Sequence, residues 1–360
     1  MQRARPAMSG VRERLEKEEA LRLSPHATLS AASAGRLEPE PPDDLRTEFQ
    51  RDRDRVLHTN AFRRLKHKTQ VFVAPVGDHF VTRLTHTLEV AQIGRTIARA
   101  LRLNEDLVEA ACLGHDVGHT PFGHVGEATL DGLAPGGFRH NEQSLRIVDT
   151  LAKEGRGLNL THETRQAILH HSKPRGSFME GAELDALTLE AQVVRVADAV
   201  AYLAHDIADA VRAGALREEE LPADARELLG TRHSQRVDAM VRDVVEASWA
   251  AAEGAVPRPR LAMSREVERA VVDLREFMFE RVYLPNDHSP EGQEAIRVVE
   301  FLYGEFTARP DEIPERYFMR GETPERAAVD YIAGMTDQFA LRTAEGLRPG
   351  FVTELFAGRV

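Results

Sequence analysis

Apolar residues along the chain recur mostly three and four positions apart, the spacing of a helix with one buried face. From Leu45 onward this period dominates, and no stretch alternates apolar and polar residues long enough to predict a strand. The clearest helices are predicted over about 80–102, 105–117, 140–153, 161–172, 187–213, 234–252, 264–282, 290–307 and 324–342. Gly and Pro break the pattern at PGGF (135–138), GAVPRP (254–259) and LPND (284–287). Before Leu45 the character differs. Val11 to Leu23 has helical spacing, but it runs into SAASAG and then EPEPPDD, a proline-rich acidic stretch unsuited to regular structure. The pattern predicts an all-α protein in three parts: a partly irregular surface arm over 1–44, a core domain over 45–215 and a helical C-terminal portion over 216–360.

Composition narrows the class. The chain has 360 residues, 42% of them hydrophobic and 29% charged, which suits a globular protein with a large core. No run approaches the roughly 18 apolar residues of a membrane helix, and no apolar segment follows the early arginines as in a secretory signal. No membrane contact and a cytoplasmic location are the expectations. The single cysteine, Cys112 in AACLGH, excludes a disulfide framework within the chain and reads as a buried thiol. A net charge of −11 argues against wholesale coating of nucleic acid. A phosphate substrate would need a local basic pocket, because an acidic protein otherwise repels it.

Three apolar helices carry polar residues that stability alone does not explain. The segment AACLGHDVGHTPFGHVGEATL holds His115, Asp116, His119, His124 and Glu127. Gly118, Pro121 and Gly123 must break the helix there, and the broken backbone would display His119 and His124 into a cleft. In VTRLTHTLEVAQIGRTI, His86 heads the apolar face of Val90, Ile93 and Ile97. In AQVVRVADAVAYLAHDIADAV, Asp198 interrupts an apolar helix, with Tyr202 and Asp206 following at i+4 and i+8. Singly, each has an ordinary reading: His86 as a core or interface histidine, Asp198 as a partner of Arg195, His115-Asp116 as a chance doublet. Jointly they form a metal site, because buried polar groups cost free energy unless paired or coordinated. His86, His115, Asp116 and Asp198 supply two imidazoles and two carboxylates. That set suits one octahedral divalent ion such as Mn²⁺, Mg²⁺, Fe²⁺, Co²⁺ or Ni²⁺ better than tetrahedral zinc.

These segments carry a resemblance. RDRDRVLHTNAFRRLKHKTQVF (51–72), GDHFVTRLTHTLEVAQIGRTIARAL (77–101), GHDVGHTPFGHVGE (114–127), FRHNEQSLRIV (138–148), VVRVADAVAYLAHDIADAV (193–211) and VDYIAGMTDQFAL (329–341) resemble the deoxyguanosine triphosphate triphosphohydrolase family of HD-domain proteins, over about residues 40–342. The resemblance implies an HD helical fold and hydrolysis of a dNTP at the α-phosphorus to a deoxynucleoside and inorganic tripolyphosphate. It places the metal ligands on His86, His115, Asp116 and Asp198, and the catalytic His and Glu on His124 and Glu127. By likeness to the related vertebrate dNTP hydrolases, His119 and His140 would contact phosphates or the leaving group, Arg83 the α-phosphate, Gln70 the 3′-hydroxyl, and Tyr202 and Asp206 the sugar. The chain is shorter than the founding bacterial members and resembles the compact "triphosphohydrolase-like" branch. In that branch mixed-dNTP activity, activation by a second dNTP and assembly into a homo-oligomer, most simply a hexamer, are expected.

A triphosphate carries about four negative charges and calls for metal charge and arginine forks. Arg53, Arg63, Arg64, Lys66, Lys68 and Arg83 are the candidates near the motifs; Arg83 stands out, one turn before His86 on the same face. Glu127, three residues after His124, would orient that imidazole. His170 and His171 in ILHHS read equally as a helix-end surface pair or as holders of a second metal or a phosphate. The segments FMFERVYL (277–284) and VVEFLYGEF (298–306) carry surplus apolar surface of the kind found at subunit interfaces. Two rivals share part of the pattern: another HD nucleotidase or phosphodiesterase, and a nucleotide-sensing or single-strand nucleic-acid-binding regulator. The first lacks FRRLKHKTQVF; the second needs a damaged ligand set, and none of the four ligands is missing.

Overall fold

A computed structural model of the chain describes residues 10–72, 80–172, 176–179, 181–254 and 259–359. Residues 1–9 of the arm, 77–79 of the second motif and most of the GAVPRP break lie outside these. The helices used below are α1 (Val11–Arg22), α2 (Glu48–Leu57), α3 (Arg83–Ala100), α4 (Glu105–Gly114), α5 (Gly123–Leu133), α6 (His140–Arg146), α7 (His162–Leu169), α8 (Leu189–Arg212), α9 (His233–Ala252), α10 (Arg265–Met278), α11 (Pro290–Ala308), α12 (Pro324–Ala333) and α13 (Asp337–Leu347). The fold is all-α, as the spacing predicts. Among the described residues only two isolated β-bridges occur, Arg36 with Thr161 and Thr69 with Thr82.

Side-chain caps set several helix starts. Thr82, Asn104, Thr161 and Thr188 accept hydrogen bonds from the backbone N–H groups of Thr85, Leu107, Thr164 and Ala191, satisfying donors that a first turn leaves open. Helix α8 is nearly all buried and packs on α3, α4, α7 and α9, while α2 covers α4. Around them gathers a first apolar core running from Val56 through Val108, Val193 and Val200 to Met278 and Val282. A second core joins Phe122, Val125 and Leu130 of the α5 region to α11, α12 and α13, through Val298, Leu302, Ile332 and Leu341.

Two local expectations are revised. The predicted helix over 324–342 is two helices, broken at Gly334, Met335 and Thr336, where Thr336 caps the second. The expected break at LPND is instead a helical turn, Leu284–Asp287, which follows a π turn over Phe279–Tyr283. Pro285 follows that π turn inside one unbroken helical run over 265–287, with Tyr283 and Leu284 both keeping helical dihedrals. Within the arm, Ser24 and Ser30 are buried and residues 37–42 are exposed. The Arg36 guanidinium is nearly fully buried and pairs with Glu48 and the inaccessible Asp52, while Glu190 of α8 accepts from the backbone N–H and the hydroxyl of Thr28.

Cys112 is fully buried, and burial raises its thiol well above the ordinary range. The apolar surface of FMFERVYL and VVEFLYGEF is partly covered inside the chain: Met278 and Val282 lie in the first core, Val298, Val299, Leu302 and Phe306 in the second, while Phe277, Phe279, Tyr283, Phe301 and Tyr303 are half-buried and Leu284 is exposed.

Candidate active site

The site lies where the start of α3, the end of α4 and the middle of α8 meet the broken segment between α4 and α5. Helix α4 stops at Gly114, and His115 and Asp116 follow at once, fully buried. Gly118 is required there: a Cβ would lie 2.1 Å from the backbone nitrogen of Ser144 and 2.7 Å from the His140 carbonyl oxygen. The chain then turns through Phe122 at φ +62° and Gly123 at φ +61°, a left-handed pair that is strained for phenylalanine. Asp337 of α13 holds the turn by accepting from Phe122 N at 3.0 Å and from Thr69 N at 3.0 Å. Lys68 holds it from below, donating through Nζ to the carbonyls of His119 and Ala333. Burial, aided by Arg64, pushes this amine down to about 7.

The four residues read as metal ligands converge. His86 Nε2 lies 3.2 Å from Asp198 Oδ1 and 4.0 Å from Asp116 Oδ2; His115 Nε2 lies 3.6 Å from Asp116 Oδ1 and 3.9 Å from Asp198 Oδ1. His86, His115 and Asp116 bring one ligand atom each within 4.8 Å of one another. His115 donates through Nδ1 to the Cys112 carbonyl at 2.6 Å, so its neutral ring carries a lone pair on Nε2. That Nε2 is buried without a hydrogen-bond partner. His86 Nδ1 meets His205 Nε2 at 2.8 Å, and His205 Nδ1 lies 2.8 Å from Asp206 Oδ1 in an ion-pair contact. Each imidazole thus commits one nitrogen to the protein and turns the other to a shared point, the arrangement of histidines held for a cation. The donor set and the orphaned nitrogen fit a divalent ion. Burial alone would raise the Asp116 carboxyl, but the positive charge of Arg83 beside it helps hold it well below the usual carboxylate range.

A second group of side chains flanks this cluster. His119 Nδ1 accepts from Thr120 N at 3.1 Å, so the neutral ring carries its hydrogen on Nε2. That Nε2 is also buried without a hydrogen-bond partner, 3.4 Å from Glu127 Oε2. Burial and the charge of Arg83 push His119 well below its ordinary range, so the ring stays neutral. Glu127 accepts from His140 twice, from N at 2.8 Å and from Nδ1 at 2.8 Å, whereas His124 Nδ1 stays 3.9 Å away, beyond hydrogen-bond reach. In this state Glu127 therefore orients His140 more directly than His124. His124 stands at the rim with 60% of its side chain exposed.

Arg83 is buried and donates through Nη1 to Asp116 Oδ2 at 2.6 Å. Gln70 is buried with Oε1 unpartnered. Asp206 accepts from the Tyr283 hydroxyl at 2.7 Å, and Tyr202 meets Arg275. Of the other basic candidates, Arg53 pairs with Asp54, Asp106 and Glu109, Arg64 donates to the Gly334 carbonyl, and Arg63 and Lys66 are exposed. The sequence reading did not single out His205, Arg275 or Tyr283. His205 carried a sign, a polar residue on an otherwise apolar helix, whereas Arg275 is one of several charges on α10 and Tyr283 one of several aromatics after it, and their partners lie far away in sequence. His171 reads from sequence either as half of a helix-end surface pair or as a holder of a second metal or a phosphate. It is buried, with Nε2 3.1 Å from His140 Nε2.

Comparison with known proteins places the chain. The HD domain family matches residues 83–203, which contain all four metal candidates, and the phosphohydrolase-associated domain family matches residues 261–346. A deoxyguanosinetriphosphate triphosphohydrolase-like protein of Caldanaerobacter subterraneus subsp. tengcongensis is 51% identical over 336 residues, covering 92% of this chain and 94% of that one. One of the same description from Desulfatibacillum aliphaticivorans is 47% identical over 341 residues, covering 92% and 96%. A solved phosphohydrolase structure from Bacteroides thetaiotaomicron is similar at 18% identity and a TM-score of 0.49, covering 84% of this chain and 70% of that one. No helix among the described residues is long and apolar enough to cross a membrane. HD-domain phosphohydrolases are metal-dependent hydrolases, and this chain belongs to their deoxyguanosinetriphosphate triphosphohydrolase-like family.

Proposed function

We propose that the protein hydrolyses deoxynucleoside triphosphates, dGTP among them, to a deoxynucleoside and inorganic tripolyphosphate. One observation carries the reading. Two buried imidazoles four residues apart present opposite chemistry to one site: an unused lone pair on His115 and an unused N–H on His119. The first suits a cation and the second an anionic oxygen, and a metal-assisted phosphoryl transfer needs both. The relatives' description supplies the nucleotide.

His86, His115, Asp116 and Asp198 would hold one divalent ion, with Mn, Mg, Fe, Co and Ni all compatible with two imidazoles and two carboxylates. Such an ion, when bound, polarises a phosphoryl oxygen and acidifies water. Arg83, already aimed at the ligand cluster through Asp116, sets a fixed positive charge beside the α-phosphate. His119 donates its free N–H to a phosphate oxygen, and His140 stands beside it with its ring stacked 4.8 Å away. His124 exchanges a proton with the attacking water or the departing 5′-oxygen, its exposed rim position leaving it free to swing toward substrate. Glu127 fixes the His140 ring and remains near enough to pair with His124 as it moves. Gln70 Oε1 accepts from the sugar 3′-hydroxyl, which would remove a costly orphan. Tyr202 and Asp206, braced by Arg275 and Tyr283, pack the deoxyribose and crowd a 2′-hydroxyl.

The wider reading rests on family likeness: a cytoplasmic homo-oligomer, most simply a hexamer, in which a second dNTP bound between subunits favours the active state. Single-stranded nucleic acid is not required by any feature of the site. The test is a turnover panel of the four dNTPs, alone and in pairs, with Mg²⁺, Mn²⁺ and Co²⁺, alongside light scattering at micromolar concentration. Turnover of at least one dNTP is expected. Absence of turnover in every combination would overturn the reading, and a strict monomer with hyperbolic kinetics would remove the assembly and the activator.

A further inference from the structure

We propose that His205 and Asp206 are a positioning pair that fixes the ring hydrogen of His86 on Nδ1. The carboxylate read as a sugar contact then also sets how tightly the cation is held. The inference rests on reading His86, His115, Asp116 and Asp198 as ligands of one divalent ion, and it gives Asp206 a second duty. No step of the proposed hydrolysis uses His205, yet it is buried beside His86.

Helix α8 reaches both nitrogens of the His86 ring. Asp198 Oδ1 lies 3.2 Å from Nε2, and His205 Nε2 lies 2.8 Å from Nδ1. Asp198 and His205 stand two turns apart on one face of the helix. With centroids 5.0 Å apart, the His86 and His205 rings meet through these two nitrogens at their edges. On its other side His205 Nδ1 lies 2.8 Å from Asp206 Oδ1 in an ion-pair contact. The Tyr283 hydroxyl donates to Asp206 Oδ2 at 2.7 Å, so both carboxylate oxygens are engaged. His86, His205 and Asp206 are all buried.

Two neutral rings that share one hydrogen bond have two arrangements. In the first, His205 carries its hydrogen on Nδ1 and accepts from His86 Nδ1 through Nε2, which leaves a lone pair on His86 Nε2. In the second, His205 carries its hydrogen on Nε2 and donates to His86 Nδ1. His86 must then carry its own hydrogen on Nε2, the nitrogen a cation needs. Asp206 selects between them. A bare lone pair on His205 Nδ1, 2.8 Å from a carboxylate oxygen, is repelled, whereas an N–H there is attracted. The first arrangement is therefore favoured, and it leaves His86 Nε2 open toward Asp198 and Asp116. Partners that hold the far nitrogen of a ligating histidine orient the ring and raise its basicity, and here the carboxylate acts through an intervening ring. Because Asp206 also packs the deoxyribose in the proposed reaction, contacts at the sugar and the hold on the ion are linked in both directions.

The full-length protein, stripped of metal by chelation and dialysed, is titrated with MnCl₂ without nucleotide, and free Mn²⁺ is read from its electron paramagnetic resonance signal. His205→Leu removes the acceptor and should weaken Mn²⁺ binding roughly 10- to 100-fold. His205→Gln, whose Oε1 can accept from His86 Nδ1, should restore most of the affinity. Asp206→Asn keeps the shape but turns an amide N–H to His205, which favours the second arrangement, and should weaken binding about 10-fold. Wild-type affinity in His205→Leu or in Asp206→Asn overturns the proposal, as do equal losses in His205→Leu and His205→Gln. If the variants fail to fold, nitrogen magnetic resonance of the unaltered protein, labelled with ¹⁵N-histidine and loaded with ZnCl₂, still decides. The ring shifts should place hydrogen on Nδ1 of both His86 and His205, and hydrogen on His205 Nε2 overturns the proposal. No Mn²⁺ binding by the unaltered protein would overturn the metal reading as well, so the two failures are told apart.

Discussion

His115 and His119 sit four residues apart and end with opposite chemistry, because the backbone offers one a carbonyl and the other an amide. The halves of the site around them differ in the same way. The cation-facing half stands on α3, α4 and α8, whose apolar faces fill the first core. The anion-facing half stands on the turn before α5, which belongs through Phe122 and Val125 to the second core and is latched by Asp337. The difference teaches that metal binding and turnover are supported by separate packing. A change in one half should leave a recognisable remnant of the other.

The largest effect is expected at Asp116. Asp116→Ala should abolish metal retention and turnover together, measured by elemental analysis and by nucleoside release. A variant that kept stoichiometric metal would remove Asp116 from the ligand set. In the other half, His124→Ala should lower kcat by roughly 10²–10⁴, the scale of a lost acid or base, with metal content and KM little changed. Near-normal kcat would return His124 to a structural role.

The sugar contacts should matter less. dGTP should exceed GTP in kcat/KM by roughly 10²-fold, the discrimination a close pocket achieves against an added hydroxyl, and Tyr202→Ala should narrow the gap. Equal values for the two nucleotides in the unaltered protein would contradict the sugar reading. The smallest change in activity is expected from the latch. Asp337→Asn should cost about 1–3 kcal/mol in denaturant unfolding, as for a buried acceptor removed from its donors, with metal content intact. Loss of metal in this variant would show that the two halves are one unit.

Much of the first half was legible in the sequence, because a His or Asp on an apolar helix face is costly unless something repays it. His86, His115, Asp116 and Asp198 stand out on that ground alone, and the helices bearing them fall close to their predicted ranges. The second half was less legible. Glu127 sits three residues from His124, which invites pairing them, but the turn at Phe122 and Gly123 brings His140 closer. His171 and His205 owe their roles to rings on other helices, and sequence spacing does not report such neighbours. The aromatics after residue 264 divide: Phe306 is buried in the second core, whereas Phe277, Phe279, Phe301 and Tyr303 stay half-buried. A second core formed from two distant segments has no local signature.

The central claim is cleavage between the α-phosphorus and the 5′-oxygen, and the direct measurement is product identity in ¹⁸O-water. Metal-loaded protein is given dGTP, and the products are separated and weighed by mass spectrometry. The account predicts unlabelled deoxyguanosine and tripolyphosphate carrying one ¹⁸O from solvent. Labelled orthophosphate with dGDP, or pyrophosphate with dGMP, would contradict it.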